Sequence, residues 1–282
     1  MTVLRSLLFV PGNNSRFIGK AKSLKSDILC FDLEDSVPQN QKQTAREFIH
    51  NELQETSKYQ QQIYVRINSP KSDYLNDDLL VITKCKINGI VIPKVSTVEE
   101  LKMIENKLSN LEIRNKFNHI KIIPSIESAQ GVINSYDIAS CSNHVYALIF
   151  GIFDLLHDLG IRYNKTLAAT NFARAKIPID AKAAGIFAID SIWQNLKDTN
   201  GLFNDCVVGR DLGYSGKSII HPDQLKITHD VFKPNDDEIE WAHMVCNTYS
   251  KAIKHGIGST KLKDNMIDEV HYKMAKSLLE NK

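Results

Sequence analysis

Much is missing from this 282-residue sequence, and each absence narrows what the protein can be. No apolar stretch approaches the roughly 18 residues expected of a membrane span. The opening Met1-Thr2-Val3-Leu4-Arg5 runs straight into a strand-like segment without the apolar core of a signal peptide. The five cysteines, Cys30, Cys85, Cys141, Cys206 and Cys246, are odd in number, far apart and never spaced as CxxC. That argues against a disulfide framework or a cysteine-pair zinc site and suits a reducing compartment, so a cytoplasmic protein is expected. A formal charge of only +2 gives no global attraction to nucleic acid or an anionic membrane, so any anion binding must be local. Low-complexity tracts and Gly/Ser linkers are also missing. So is a GxGxxG fingerprint: the first strand-like run is followed by Pro11-Gly12-Asn13-Asn14, which argues against an open dinucleotide-binding sheet.

What is there is a recurring unit: a short β-branched or aromatic run, then polar residues or Pro/Gly, then a helix-like stretch. The runs fall at 4–11, 28–33, 62–68, 89–93, 119–126, 145–151, 184–190 and 217–221. Buried parallel strands read as nearly continuous apolar segments, and eight of them separated by helices predict a closed (β/α)8 barrel. With 43% apolar residues the chain has enough material for its core. The spacing predicts a barrel over residues 1–225. A C-terminal helical extension over 226–282 then carries helices at 236–255 and 267–280, joined flexibly through Gly256-Ile257-Gly258-Ser259. Asp236 and Asp237 suit the positive N-terminal end of the first of these helices. Such a tail either packs locally or forms a lid on a neighbouring subunit.

The strand ends carry the chemistry. In order they close on Pro11-Gly12-Asn13, Asp32-Leu33-Glu34-Asp35, Arg66-Ile67-Asn68, Pro93-Lys94, Glu127-Ser128, Gly151-Ile152-Phe153-Asp154, Asp190 and His221-Pro222. A closed parallel barrel gathers all these ends on one face, where barrel enzymes keep their active sites. Helix N-capping accounts for some of the Asp and Ser residues but not readily for Arg66 or His221. Two readings of Glu127 and Asp154 stand on spacing alone. They hold a hard cation such as Mg²⁺, which takes one or two carboxylates plus waters, or they cap helices and pair with Lys121 or Lys94. Arg66 suits a substrate carboxylate through its planar fork, and also suits neutralising Glu34 and Asp35. Arg16, Lys20, Lys22 and Lys25 form a basic run that is either a phosphate site or a solvated helix face.

These motifs resemble the HpcH/HpaI aldolase/citrate lyase family, in its citrate lyase β-subunit-like branch of citryl-, malyl- and citramalyl-CoA lyases. The resemblance rests on Arg5-Ser6-Leu7-Leu8-Phe9-Val10-Pro11-Gly12, Phe31-Asp32-Leu33-Glu34-Asp35-Ser36-Val37 and Val65-Arg66-Ile67-Asn68. It continues through Ile123-Pro124-Ser125-Ile126-Glu127-Ser128-Ala129, Phe150-Gly151-Ile152-Phe153-Asp154-Leu155, Gly216-Lys217-Ser218-Ile219-Ile220-His221-Pro222 and Met266-Ile267-Asp268. It implies a barrel of the phosphoenolpyruvate/pyruvate type and Mg²⁺ held by Glu127 and Asp154. Arg66 becomes a substrate-binding and catalytic residue, with Glu34 and Asp35 orienting it or metal-bound water. Phe9, Arg16, Lys20, Ile220 and His221 become contacts to a CoA thioester and its keto acid. Asp268, given by a neighbouring subunit of a trimer or hexamer, handles the α-carbon proton. Where family members often carry glycine, this chain has Asn265.

The implied reaction is Mg²⁺-dependent cleavage, or formation, of a 3-hydroxyacyl-CoA into acetyl-CoA and a 2-keto acid. Its rivals are an aldolase on sugar-derived acids, a malate-synthase-like thioesterase, and a citrate lyase β subunit working on a carrier-protein thioester.

Overall fold

In the computed structural model, residues 4–54, 58–115, 120–162 and 168–280 are described. Eight strands follow the expected runs closely: β1 Ser6–Pro11, β2 Ile28–Asp32, β3 Gln62–Arg66, β4 Gly89–Ile92, β5 Lys121–Ile126, β6 Ala147–Phe150, β7 Phe187–Asp190 and β8 Gly216–Ile219. His119, the expected start of the fifth run, lies outside the described residues. The strands pair in parallel in chain order and close as β8 meets β1, making the (β/α)8 barrel. The helices between them are α1 Ser15–Ala21, α2 Lys42–Glu52, α3 Leu75–Ile82, α4 Val98–Asn115, α5 Ala129–Ile133, α6 Ser135–Ser140, α7 Ile152–Asp158, α8 Asn171–Ala183 and α9 Thr199–Asp211. α10 spans Gln224–Phe232, α11 Asp236–Lys254 and α12 Glu269–Glu280.

Strand alternation sends every second side chain inward. Leu7, Ile28, Cys30, Tyr64, Val91, Ile123, Ala147, Ile149 and Ile189 fill the barrel as one buried cluster. Tyr64 fits because its neighbour in the pairing is Gly89: a Cβ there would stand 2.2 Å from the ring. Outward-facing Asp190 and Lys217, both fully buried, form a charge cluster with Arg174 on α8 and the partly buried Asp205 on α9. Lys217 Nζ lies 3.0 Å from Asp190 and 2.5 Å from Asp205, and Arg174 donates to both acids. Asp190, expected among the strand-end acids, therefore ties strand to helix on the outside of the barrel. Charges this deep hold only because every one is paired.

The chain divides into two compact units, Leu4–His229 and Asp230–Lys282, the division falling inside α10. The first helix wholly inside the second unit is α11, whose N-terminus is a capping box: Asn235 accepts from the Glu238 amide while Glu238 accepts from that of Asn235. Asp236 and Asp237 occupy its first turn, as expected. The expected helix at 267–280 is corrected. Ser259–Leu262 and Asn265–Asp268 form an antiparallel hairpin, β9 and β10, turning through Lys263 at φ 54°, and α12 starts only at Glu269. Ser259, expected in a flexible join, is already strand. Ile267 alternates inward and packs with Ala242, Val245, Tyr249 and Ala275, which a helix beginning at 267 would not achieve. Among the described residues, no helix is long and apolar enough to cross a membrane.

Candidate active site

The C-terminal strand ends open onto a cavity of about 420 Å³ whose lining includes Phe9, Asp32, Arg66, Glu127, Asp154 and Ile220. Arg66 ends β3, directly across the pairing from Asp32 at the end of β2. Its Nε and Nη2 each donate to a separate Asp32 oxygen at 2.7 Å, a bidentate fork. Nη1 is left facing Glu34 at 3.2 Å and Asp35 at 3.5 Å, and the guanidinium lies 4.6 Å from the centre of the Phe9 ring. Asp32 also accepts from the Glu34 amide and from the amide and hydroxyl of Ser36.

The orientation of Arg66, expected from Glu34 and Asp35, is therefore given first by Asp32. Burial alone would raise the Asp32 carboxyl, but the guanidinium and the other donors bring it down to about 2. A depressed folded pKa stabilises above the ordinary value near 4 and is lost as pH falls through about 2, here by about 2 kcal/mol. Urea unfolding at pH 5 and pH 2 is expected to show Asp32→Asn losing its deficit against the parent on acidification; a deficit that stays constant contradicts this account.

Glu127 directly follows β5 and is only 7% exposed. Among the described residues, its one hydrogen bond comes from the Lys94 amide at 3.2 Å, and no side-chain cation lies within ion-pair distance. Burial first, and then the neighbouring Asp154 carboxylate, push it up to about 8. Gly151 makes its room: a Cβ there would meet Glu127 Cγ at 2.2 Å. Asp154 stands in the first turn of α7, half exposed, with Lys94 Nζ 3.7 Å from its Oδ1. Lys94 also reaches Glu34 Oε1 at 2.6 Å and Asp35 at 3.2 Å. Burial, relieved only in part by Arg66, lifts Glu34 to about 7, and its Oε2 makes no hydrogen bond.

Of the two alternatives for the carboxylates, the pairing with Lys94 exists for Asp154, whereas Lys121 sits 3.8 Å from the centre of the Tyr146 ring instead. A buried carboxylate without an ion-paired cation, beside a half-exposed second one, fits a hard divalent ion that takes one or two protein carboxylates and keeps several waters; among the described residues no three such side chains converge on one point. Gly151→Ala is expected to displace Glu127 and cost roughly a hundredfold in turnover; unaltered kinetics would show that the cradle is not needed.

The other expected contacts divide. Phe9 and Ile220 line the cavity. Arg16 and Lys20 are exposed on α1, outside that lining, with Arg16 over the Phe17 ring. Lys22 of the basic run pairs with Glu52. His221 is half-exposed beyond β8 and faces Asp223. Asp268 belongs to the C-terminal unit, where it ends β10 and caps α12: its Oδ1 accepts the amides of Val270 and His271 and pairs with the His271 ring at 2.7 Å. Sequence reasoning missed Asp32 and Lys94 as site residues. Asp32 was available from alternation, since Ile28, Cys30 and Asp32 share the inward face of β2. The spacing offered Lys94 as a partner for Asp154, but nothing in it announced the further reach of its ammonium to Glu34 and Asp35.

Barrel, carboxylate ring and anchored arginine together define an enzyme whose chemistry sits at the C-terminal strand ends. The HpcH/HpaI aldolase/citrate lyase family profile matches residues 5–222, and the chain belongs to that family. It is 32% identical over 98% of its length, and 93% of the relative's, to a (3S)-malyl-CoA thioesterase of Cereibacter sphaeroides. It is 30% identical to the citrate lyase subunit beta of Leuconostoc mesenteroides, over 94% of this chain and 88% of that one. Its fold is similar to CitE of Mycobacterium tuberculosis, solved in complex with magnesium, acetoacetate and coenzyme A. That match has TM-score 0.82 and 22% identity, covering 98% of this chain and 97% of the other. The chain is an enzyme, of the carbon–carbon lyase class.

Proposed function

We propose that the protein is a Mg²⁺-dependent lyase that cleaves, or forms, a 3-hydroxyacyl-CoA such as citryl-, citramalyl- or malyl-CoA, giving acetyl-CoA and a 2-keto acid. The observation that carries this reading is the pairing of an Arg66 fork anchored by Asp32 with a buried, cation-free Glu127 in one cavity. Glu127 and Asp154 would hold the ion, whose contribution when bound is Lewis-acid polarisation of the keto acid's oxygens. Arg66, held by Asp32 through Nε and Nη2, offers Nη1 to the substrate carboxylate or developing oxyanion. Phe9 supports the guanidinium face and excludes water from one side. Asp268, from a neighbouring subunit, would exchange the proton at the acetyl α-carbon. Arg16, Lys20 and His221 would meet the CoA portion at the rim, and Ile220 the acyl portion. A homo-oligomer, trimer or hexamer, follows from a shared site, with the unit from Asp230 onward reaching the neighbour. Cytoplasmic residence is supported by five free cysteines.

The malyl-CoA thioesterase among the relatives favours a second reading, hydrolysis of the thioester on the same scaffold. One assay separates them. Incubation with Mg²⁺ and a panel of the three thioesters should release keto acid without free thiol. Thiol release without keto acid moves the assignment to hydrolysis, and no product from any of them removes both readings. A strict carrier-protein requirement, as for a citrate lyase β subunit, predicts turnover of acyl-carrier thioesters alone.

A further inference from the structure

We propose that Lys94 is a positioning residue of the carboxylate ring, and that its ammonium is the cation a divalent metal displaces from Asp154. The inference rests on reading Glu127 and Asp154 as the metal's ligands. Lys94 follows β4 in the left-handed region at φ 57°, shared by no other described non-glycine residue except Lys263 in the hairpin turn. Lysine has no side-chain device that favours this backbone, so the surrounding structure must enforce it.

The enforced conformation does two things at once. It aims the amide at Glu127 Oε2. It also sends the ammonium to Glu34 at 2.6 Å, Asp35 at 3.2 Å and Asp154 at 3.7 Å. One residue thus touches acids from the β2 loop, the end of β5 and the first turn of α7. The contact with Asp154 is the longest and involves a half-exposed acid, whereas that with Glu34 is short and made to a buried one. A metal can therefore take Asp154 while Glu34 and Asp35 keep the ammonium.

The consequence has opposite signs for two ligands. Among the described residues, Asp32, Glu34, Asp35 and Asp154 form side-chain ion pairs only with Arg66 and Lys94, and Glu127 forms none; Lys42 lies beside three of these acids but donates from its ammonium to the Leu33 and Glu34 carbonyls. Removing the Lys94 ammonium makes the ring more negative by one charge, which favours a divalent cation and disfavours an anionic keto acid. Loss of structure alone would weaken both.

Lys94→Asn is the variant of choice, because asparagine tolerates the left-handed backbone while discarding the charge. Binding of Mn²⁺ without substrate, followed by the paramagnetic signal of the free ion, is expected to tighten on the order of tenfold. Binding of pyruvate to the Mn²⁺-loaded protein is expected to weaken, and Lys94→Arg to restore both. Unchanged or weaker Mn²⁺ binding in Lys94→Asn overturns the proposal. If the parent binds Mn²⁺ and Asp154→Ala does not, that failure belongs to Lys94 alone. If the parent binds no Mn²⁺ at all, the metal reading falls and this one with it.

Discussion

In the Asp154→Ala protein, Mg²⁺-dependent turnover is expected to fall by about three orders of magnitude while the fold survives. Loss of a ligand forfeits the several kcal/mol of charge stabilisation that a bound divalent ion supplies, and about 4 kcal/mol corresponds to roughly a thousandfold. The structural cost is small by comparison. Asp154 is half exposed, and its contacts are a 3.7 Å approach to Lys94 and a place in the first turn of α7. A carboxylate at a helix N-terminus contributes about 0.3–1 kcal/mol, and a screened surface ion pair adds little. Against this stands relief of repulsion with Glu127, whose carboxyl Asp154 helps to raise. Melting without metal should therefore barely move.

Added Mg²⁺ gives an independent readout. It stabilises the parent by mass action, because it binds the folded state alone, and should leave the variant's melting temperature unchanged. Equal activity, or an equal Mg²⁺ shift in both proteins, removes Asp154 from the metal site.

The fold was legible because a parallel barrel writes itself as repeated apolar runs, and each run from Ser6 to Ile219 lies within or beside its expected span. The hairpin at Ser259–Asp268 was not, because its polar faces alternate over only four residues a strand, too few to outweigh the helical pattern that follows. Within the site, legibility followed backbone against side-chain reach. Arg66, Glu127 and Asp154 sit where strands end or helices begin, positions that topology fixes. Which acid grips Arg66 depends on register, and the Asp32↔Arg66 pairing emerges only once β2 and β3 are laid side by side. The role of Lys94 depends on a positive φ that no residue type in Pro93-Lys94-Val95 signals.

Mixing two inactive proteins tests the proton donor, and the structure dictates which two. Arg66→Ala is a poor partner: it strands Asp32, buried with 1% exposure, without its cation, a loss of about 3–5 kcal/mol. Asp154→Ala disables the barrel side at far lower cost. For the C-terminal side, Asp268→Ala would also remove the cap on α12 and would confuse a lost catalyst with a frayed helix. Asp268→Asn keeps a cap of equal quality and deletes only the carboxylate. If Asp268 acts in a neighbour's site, each protein alone is inactive. After subunit exchange at equal amounts, about a quarter of the sites draw an intact barrel from one variant and an intact Asp268 from the other. Recovered activity near that fraction, absent before exchange, is the expected result. Exchange verified by mass without any recovery would confine Asp268 to its own subunit or to its cap, where its bond to His271 already gives it a structural role.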